Sequence, residues 1–139
     1  MLSPTRIRWL SLSGYVTETA GHLRAQNRIT LLLCTFEGEA LIVRGCGSAK
    51  VIHPRDADWG KAIAAFPEFS DTRQIFDVTV ESVQTSCSTD VPEMAFARDR
   101  VPEELAPFYA DMGPTGVDAC RRKKNTETID GLPTGIFQD

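Results

Sequence analysis

The chain has 139 residues, of which 42% are hydrophobic, so it is long enough for one domain with its own core and too short for two. Its formal net charge of -4 argues against binding to nucleic acid or to an anionic membrane, because both need clustered lysines and arginines. The one basic run, Arg121 to Lys124, is interpreted as a solvated helix face.

Hydropathy and the start of the chain predict a cytoplasmic protein. No stretch approaches the ~18 consecutive apolar residues of a membrane-spanning helix, and the first residues lack the pattern of a signal peptide. In the cytoplasm the cysteines are expected to be reduced thiols. No Cys-x-x-Cys pair occurs, and His22 and His53 stand at no metal-ligand spacing, so no metal site is predicted.

The first third of the chain predicts a strand, a helix and a second strand. Arg6 to Leu12 alternates polar and apolar residues, as a half-buried strand does. A helix follows, with Thr17 as its N-cap and Glu18 in its first turn. Arg28 to Phe36 is continuously apolar, which predicts a central strand buried on both faces.

The next segment predicts a hairpin with an irregular second strand. Glu37-Gly38 is typical of a hairpin turn, after which Leu41 to Ile52 returns antiparallel. Gly45 and Gly47 interrupt this strand and indicate a bulge or a sharp bend.

The remaining elements are a helix, a long strand and then helices only. Pro54 to Phe66 predicts a helix with Asp56 as N-cap, and Arg73 to Thr85 alternates as a third long strand. Helical patterns follow Pro102 and stop at Gly113, and a last short helix is predicted from Val117 to Asn125. This order favours an antiparallel sheet with helices at its ends, in the α+β class or as a barrel.

The turn between the first strand and the first helix is the main candidate for ligand binding. It contains glycine and small hydroxyl residues and leads into a helix N-terminus, where free backbone N–H groups suit a phosphate. An ordinary helix cap is the alternative interpretation. The residues concerned are Ser11, Ser13, Gly14, Thr17 and Thr19.

Three phrases of the sequence, in order, resemble one branch of the pyridoxamine 5'-phosphate oxidase-like family, the FMN-binding split barrels. The first contains Ser13-Gly14, Glu18-Thr19, His22-Leu23-Arg24, Arg28-Ile29-Thr30-Leu31 and Phe36-Glu37-Gly38. The second contains Val83 to Cys87, Val91-Pro92 and Met94. The third contains Lys124-Asn125 and Ile129 to Pro133.

The resemblance implies a six-stranded antiparallel split β-barrel that forms a homodimer, with FMN in the groove between subunits. The whole chain, 1–139, is then one split-barrel-like domain, with barrel strands and helices in 1–95 and a C-terminal helical extension in 100–139. The implied function is that of a flavoprotein oxidoreductase acting on a small organic substrate. The fold alone does not fix the reaction, because it also carries binding proteins.

The resemblance also implies which residues contact the cofactor. The turn would hold the FMN phosphate, two cationic residues of the second hairpin strand would balance charge, and the end of the third long strand would hydrogen-bond the isoalloxazine edge. In the alternative interpretation, the two cationic residues simply face outward from their strand, and the end of the third long strand is an ordinary strand end. No catalytic residue is assigned. The predicted cofactor-binding residues are Ser13, Gly14, Thr17, Glu18, Thr19, Arg44, Lys50, Gln84, Thr85 and Ser86.

Two departures from the family pattern leave alternatives open. Relatives carry some fifty or more residues before the strand that begins here at Arg6, so the chain is expected to lack the usual N-terminal portion. The turn reads Gly14-Tyr15-Val16-Thr17-Glu18 where relatives usually show Gly-Ser-Gly-Asn-Glu, so the bulky Tyr15 and Val16 would hinder backbone approach to a phosphate. The chain is therefore either a truncated barrel completed by its partner subunit, or a cofactor-free dimer with a ligand-binding or structural role. A deazaflavin or a haem in place of FMN also stays open.

Overall fold

The computed structural model describes residues 3–15 and 17–137, so Val16 of the predicted phosphate turn lies outside the described residues. Four strands, three α-helices and one π-helical turn are present in these ranges. Their bounds are β1 (Arg6–Leu12), α1 (Glu18–Ala25), β2 (Ile29–Cys34), β3 (Ile42–Ile52), α2 (Trp59–Ile63), β4 (Thr72–Ser86), the π-helical turn (Val101–Leu105) and α3 (Ala106–Lys124).

The strands form one antiparallel sheet in the order β1-β4-β3-β2. β4 is the longest strand, with 15 residues, and it pairs with β1 on one side and with β3 on the other. The predicted fold class, α+β with an antiparallel split-barrel-like sheet and peripheral helices, is confirmed. The described residues form four strands, whereas the family resemblance implies six; the domain division at 95–100 stays a prediction.

Apolar side chains pack on both faces of the sheet. On one face, Ala20 and Leu23 of α1 cover Phe76 and Val78 of β4, and the ring of Trp9 stacks on Phe76 at 4.8 Å between centroids. Neighbouring residues of a strand point to opposite faces. Ile52 of β3 and Ile75 of β4 therefore lie on the other face, where they pack against Ala62 and Trp59 of α2 and against Phe66.

The prediction that residues 28–36 form a central strand is wrong. β2 lies at the edge of the sheet and pairs only with β3 within the described residues. Leu32 is 57% exposed and Leu33 is 59% exposed. A continuously apolar run shows that both faces of a strand avoid water, but it does not say which neighbour covers them.

The predicted helix from Pro54 to Phe66 is much shorter in the structure. α2 covers only Trp59–Ile63, and its N-cap position is Asp58. The Asp56 carboxylate does not cap this helix; its Oδ2 accepts a hydrogen bond from the His53 backbone N–H at 2.8 Å. Aspartate favours such local backbone bonds in turns as readily as at helix ends, which is why the pattern misled the prediction.

Both glycine-based predictions in the sheet and in the last helix are confirmed. The β3–β4 register shifts between Cys46 and Gly47, which leaves a bulge on the partner strand. Gly113 has φ 68° and ψ 168°, so it breaks the helical path inside α3. No helix in the described ranges is long and apolar enough to cross a membrane.

His53 closes the turn after β3 and is only 6% exposed. Burial, reinforced by the nearby positive charge of Arg55, lowers the pKa of His53 to about 4 from its usual 6.5. His53 is therefore neutral at pH 7.

Acid is expected to destabilise the protein through His53. Between pH 6.5 and pH 4 the unfolded imidazole binds a proton that the folded one does not, so the free energy of unfolding falls as the pH falls. The free energy of unfolding falls by about 3 kcal/mol in total, and this loss begins only as the pH drops below about 6.5. Urea unfolding of the wild type and of His53→Gln at several pH values between 7 and 4 measures this. Parallel pH profiles for the two proteins would contradict the prediction.

Candidate functional site

The two buried hydroxyls of the predicted phosphate turn are occupied by the protein itself. Ser13 Oγ donates to the carbonyl of Asp71 at 2.9 Å and accepts from Arg121 Nη2 at 2.7 Å. Thr17 Oγ1 accepts from Gln74 Nε2 at 2.6 Å. Thr17 stands at the N-cap position of α1 as predicted, but its side chain makes no capping bond.

The end of α3 closes the same turn from the other side. Asn125 is buried, and its Nδ2 donates to the carbonyls of Gly14 and Tyr15 at 3.2 and 3.0 Å. The Glu18 carboxylate accepts from the Ile129 backbone N–H at 3.1 Å. Of the predicted turn residues, Thr19 is the one with an exposed hydroxyl, and no hydrogen bond to it occurs within 3–15 and 17–137.

Arg121 does not lie on a solvated helix face, and that part of the sequence interpretation is wrong. Its guanidinium is half-buried and also donates to the carbonyls of Asp71 and Thr72 at 3.0 and 2.9 Å. Burial lowers the pKa of Arg121, although Asp71 opposes this effect. Each of the three oxygens that it contacts lies far away in sequence, so spacing alone gave no signal for this role.

A cavity of about 540 Å³ lies beside the turn, between Tyr15 and the end of α3. Lys123 and Lys124 line it, and Lys124 Nζ stands 4.9 Å from the centre of the Tyr15 ring. Ile129 adds an apolar wall and is 93% exposed. This cavity offers two cations, two carboxylates (Glu18 and Glu127) and two apolar surfaces next to the helix N-terminus.

The other predicted residues form a second cluster at the far end of β3 and β4. Arg44 is directly opposite Gln84, and Arg44 Nη1 donates to Ser86 Oγ at 3.2 Å. Alternation along the strand places Thr85 on the opposite face from these three. Lys50 is not part of this cluster, because it lies about 20 Å further along β3, where its Nζ pairs with Asp58 Oδ2 at 2.5 Å.

The turn and the Arg44 cluster are widely separated within one chain. β1 ends opposite Thr72, at the start of β4, whereas Gln84 and Ser86 lie at its end. The strand between Thr72 and Gln84 spans about 40 Å, which is longer than one extended FMN molecule. The structure therefore brings the predicted cofactor residues together in two groups rather than in one.

A curated relative aligns with almost the whole chain. It is the pyridoxamine 5'-phosphate oxidase family protein ustO of Aspergillus flavus, 26% identical over 147 aligned residues that include 96% of this chain. The resemblance to the pyridoxamine 5'-phosphate oxidase-like family is confirmed. No family model and no solved structure matches. The chain spans 59% of the length of this relative.

The surface around the Arg44 cluster carries several exposed apolar side chains. Segment 94–96 contacts the β2–β3 turn through two backbone N–H donors. The Met94 N–H donates to the Phe36 carbonyl at 2.9 Å, and the Phe96 N–H donates to Glu37 Oε1 at 2.8 Å. The exposed apolar edge consists of Leu32, Leu33, Phe36, Leu41, Val83, Met94 and Phe96. Isolated exposed apolar residues are common, but several of them near one edge strand favour a binding or subunit surface.

Three side chains near the turn come close enough to share a cation. The ligand atoms of Glu18, His22 and Asp130 lie within 4.8 Å of one another. His22 Nε2 is 3.3 Å from Asp130 Oδ1, and that oxygen also accepts from Thr128 Oγ1. Sequence spacing does not indicate this group, because Asp130 lies 108 positions after His22.

Proposed function

We propose that the protein is an FMN-binding oxidoreductase that acts on a small organic substrate as a homodimer, with FMN held between the two subunits. The proposal is supported at family level by the alignment with the pyridoxamine 5'-phosphate oxidase family protein of Aspergillus flavus. The observation that carries it is the division of the predicted site into two groups about 40 Å apart along β4. A cofactor that needs both groups has to take them from two different subunits.

The turn and the end of α3 fit the phosphate end of FMN. Ser13 and Thr17 are engaged elsewhere, so binding there would depend on the exposed Thr19 hydroxyl, the first N–H groups of α1 and the two lysines. Lys123 and Lys124 supply the positive charge that a phosphate requires.

The Arg44 cluster fits the ring end of FMN. Arg44 uses one Nη1 bond to Ser86, which leaves further guanidinium donors for a planar ring with carbonyl and nitrogen acceptors. Gln84 adds an exposed amide beside it. FMN supplies the hydride chemistry when it is bound, and the residues of this chain orient the ring and tune it by hydrogen bonding.

The exposed apolar edge supports the homodimer. Leu32 lies opposite Arg44 in the β2–β3 pairing, and Leu32, Leu33 and Phe96 are all exposed without cover from the described residues. An exposed apolar edge strand invites pairing with another chain. A second subunit seated there would cover this surface and exclude water from the ring end of the cofactor.

The cofactor-free dimer is the second candidate. It is favoured by the engagement of Ser13 and Thr17 with protein partners and by Asn125 on the Gly14 and Tyr15 carbonyls. In this case the interface groove binds a ligand other than a flavin, or the dimer is structural.

FMN titration decides between the two candidates. The wild-type protein is expected to quench flavin fluorescence at one FMN per subunit, and size-exclusion chromatography with light scattering is expected to give a dimer. Arg44→Gln should weaken FMN binding about tenfold or more, because a bond to a charged donor is lost. Bleaching of the bound flavin by dithionite and its return in air measures redox competence.

Arg98→Gln is the charge-matched control, because Arg98 pairs with Glu103 and Glu104 and is not one of the predicted cofactor residues. This variant should bind FMN like the wild type. A wild-type dimer that does not quench FMN would overturn the flavoprotein proposal in favour of the cofactor-free dimer. A flavin-binding monomer would overturn the shared site.

A further inference from the structure

Two adjoining cavities lie away from both groups of predicted cofactor residues, and Arg24 and Arg55 line both of them. The outer cavity measures about 420 Å³ and is bounded by the segment from Thr126 to Phe137. The inner cavity measures about 280 Å³ and reaches His53 and Thr134. Neither cavity belongs to the turn or to the Arg44 cluster.

The Arg55 guanidinium is held in place by the C-terminal segment. Its Nη1 donates to the Ile136 carbonyl at 2.6 Å, and its Nη2 donates to the Gly135 carbonyl. These partners are neutral oxygens, so they orient the guanidinium without balancing its charge.

The Arg24 guanidinium lies against the same segment. Gly135 has φ 74°, a backbone conformation that favours glycine, and Arg24 Nη1 lies 2.5 Å from the point where a Cβ on it would stand. Within the described parts of the chain, neither Arg24 nor Arg55 forms a salt bridge. Two cations that form no salt bridge with a described residue therefore share one pair of cavities, whose walls also contain the carboxylates of Asp56 and Glu127.

His53 adds a buried polar group to the inner cavity. It is 94% buried, and its Nδ1 has no hydrogen-bond partner among the described residues. Buried polar groups are normally paired, so an unpaired one deserves an explanation. Of the acidic residues in the walls, Asp56 is engaged with the His53 backbone N–H, and Glu127 lines only the outer cavity.

We propose that the cavities between Arg24, Arg55 and His53 bind the phosphate group of a small molecule. A phosphate dianion can pair with both guanidiniums and has enough oxygens to bond each of them and the imidazole, whereas a carboxylate has only two oxygens and one charge. The 420 Å³ outer cavity leaves room for an organic group attached to that phosphate.

This site is separate from the phosphate end of the proposed flavin site. Arg24 lies in the last turn of α1, whereas Thr19 lies in the first, and the two ends of this helix are about 10 Å apart. The proposal does not depend on FMN binding.

Titration of the ¹⁵N-labelled protein with inorganic phosphate, followed by amide NMR shifts, tests the proposal. The expected result is a saturable shift of the amides of His53, Arg55, Asp56 and 134–136 that persists after saturation with FMN. Arg24→Gln should weaken phosphate binding about tenfold. Arg28→Gln is the matched control, since Arg28 is exposed, lies four residues after Arg24 and lines neither cavity. This variant should bind phosphate like the wild type.

Two results would overturn the proposal. One is the absence of any saturable shift at 53–56 and 134–136, including the case in which phosphate shifts only 17–19 and 123–129, which would assign phosphate to the turn. The other is an equal loss of affinity in Arg24→Gln and Arg28→Gln, which would indicate general charge attraction. Once the site is established, glycerol 3-phosphate separates the two possible sources: tighter binding than that of inorganic phosphate identifies a phosphate ester, and equal binding identifies free phosphate.

Discussion

Gly47→Ala is expected to destabilise the protein by at least about 3 kcal/mol, a large part of the stability of a typical domain. A Cβ at position 47 would stand 1.9 Å from the Thr79 carbonyl oxygen, across the β3–β4 bulge. That oxygen belongs to the backbone of the central strand, so the clash is relieved only by separating the two strands. Urea unfolding measures the loss.

Gly45→Ala is the matched control for this effect. It adds the same methyl group two residues away on the same strand, where the nearest atom, Val80 Cγ1, is 3.7 Å away, an ordinary contact. The reduced flexibility of the unfolded chain should make Gly45→Ala neutral or slightly stabilising. Equal stability of the two variants would show that the bulge tolerates a side chain at position 47.

Asp77→Ala is expected to lower the free energy of unfolding by about 3 kcal/mol, because it removes the buried carboxylate that pairs with two arginines. The Asp77 side chain is 4% exposed, and it accepts two bonds from Arg6 at 2.7 Å and two from Arg8. Burial opposes ionisation of Asp77, but the hydrogen bonds from Arg6 and Arg8 outweigh it and hold the pKa of Asp77 below its usual value. The Arg8 side chain, only 14% exposed, would lose its counter-charge.

The pH dependence and a second aspartate make this prediction specific. A depressed carboxyl pKa contributes stability above the unfolded pKa of about 4 and loses it as the pH falls below that value, so the gap between wild type and Asp77→Ala should close in acid. Asp58→Ala removes an exposed carboxylate that pairs with Lys50, and it should leave the melting temperature nearly unchanged. Similar losses for Asp58→Ala and Asp77→Ala would refute the role of burial.

Most strands could be predicted from the sequence, because their side-chain alternation is local information. β1 matches its predicted bounds, and β4 differs from them by one residue at each end. The bulge at Gly47 and the break at Gly113 were also predictable, since glycine marks backbone geometry that other residues resist. The helix after β3 was overestimated, because Asp56 serves a turn and not a cap.

The sheet order could not be predicted in the same way. The run from Arg28 to Phe36 correctly indicated an apolar strand, but its neighbours depend on pairing between distant segments. Burial was therefore assigned to a strand whose outer edge is free within the described residues. The apolar side chains of Leu32 and Leu33 indicated that this strand packs against something. They did not indicate whether the same chain or another chain covers it.

The candidate site was predictable as a set of residue types and not as a set of contacts. The hydroxyls of Ser13 and Thr17 were correctly placed in the turn, but their partners, Arg121 and Gln74, lie on other elements. The phosphate-sized cavities at Arg24 and Arg55 gave no sequence signal at all, because the C-terminal segment that completes them is distant in the chain.

The closure of the N-terminal turn by α3 also has a consequence for the order of folding. The bond from Arg121 to Ser13 joins positions 108 apart, and the bond from Arg6 to Asp77 joins positions 71 apart. Contacts this distant repay the entropy of loop closure only late, which is typical of domains that fold in milliseconds to seconds. On the ribosome, the β2–β3 hairpin is complete long before the residues that seal β1 and the turn have been synthesised. The apolar side chains of that hairpin are therefore exposed on a nascent chain until β4 and α3 have been synthesised.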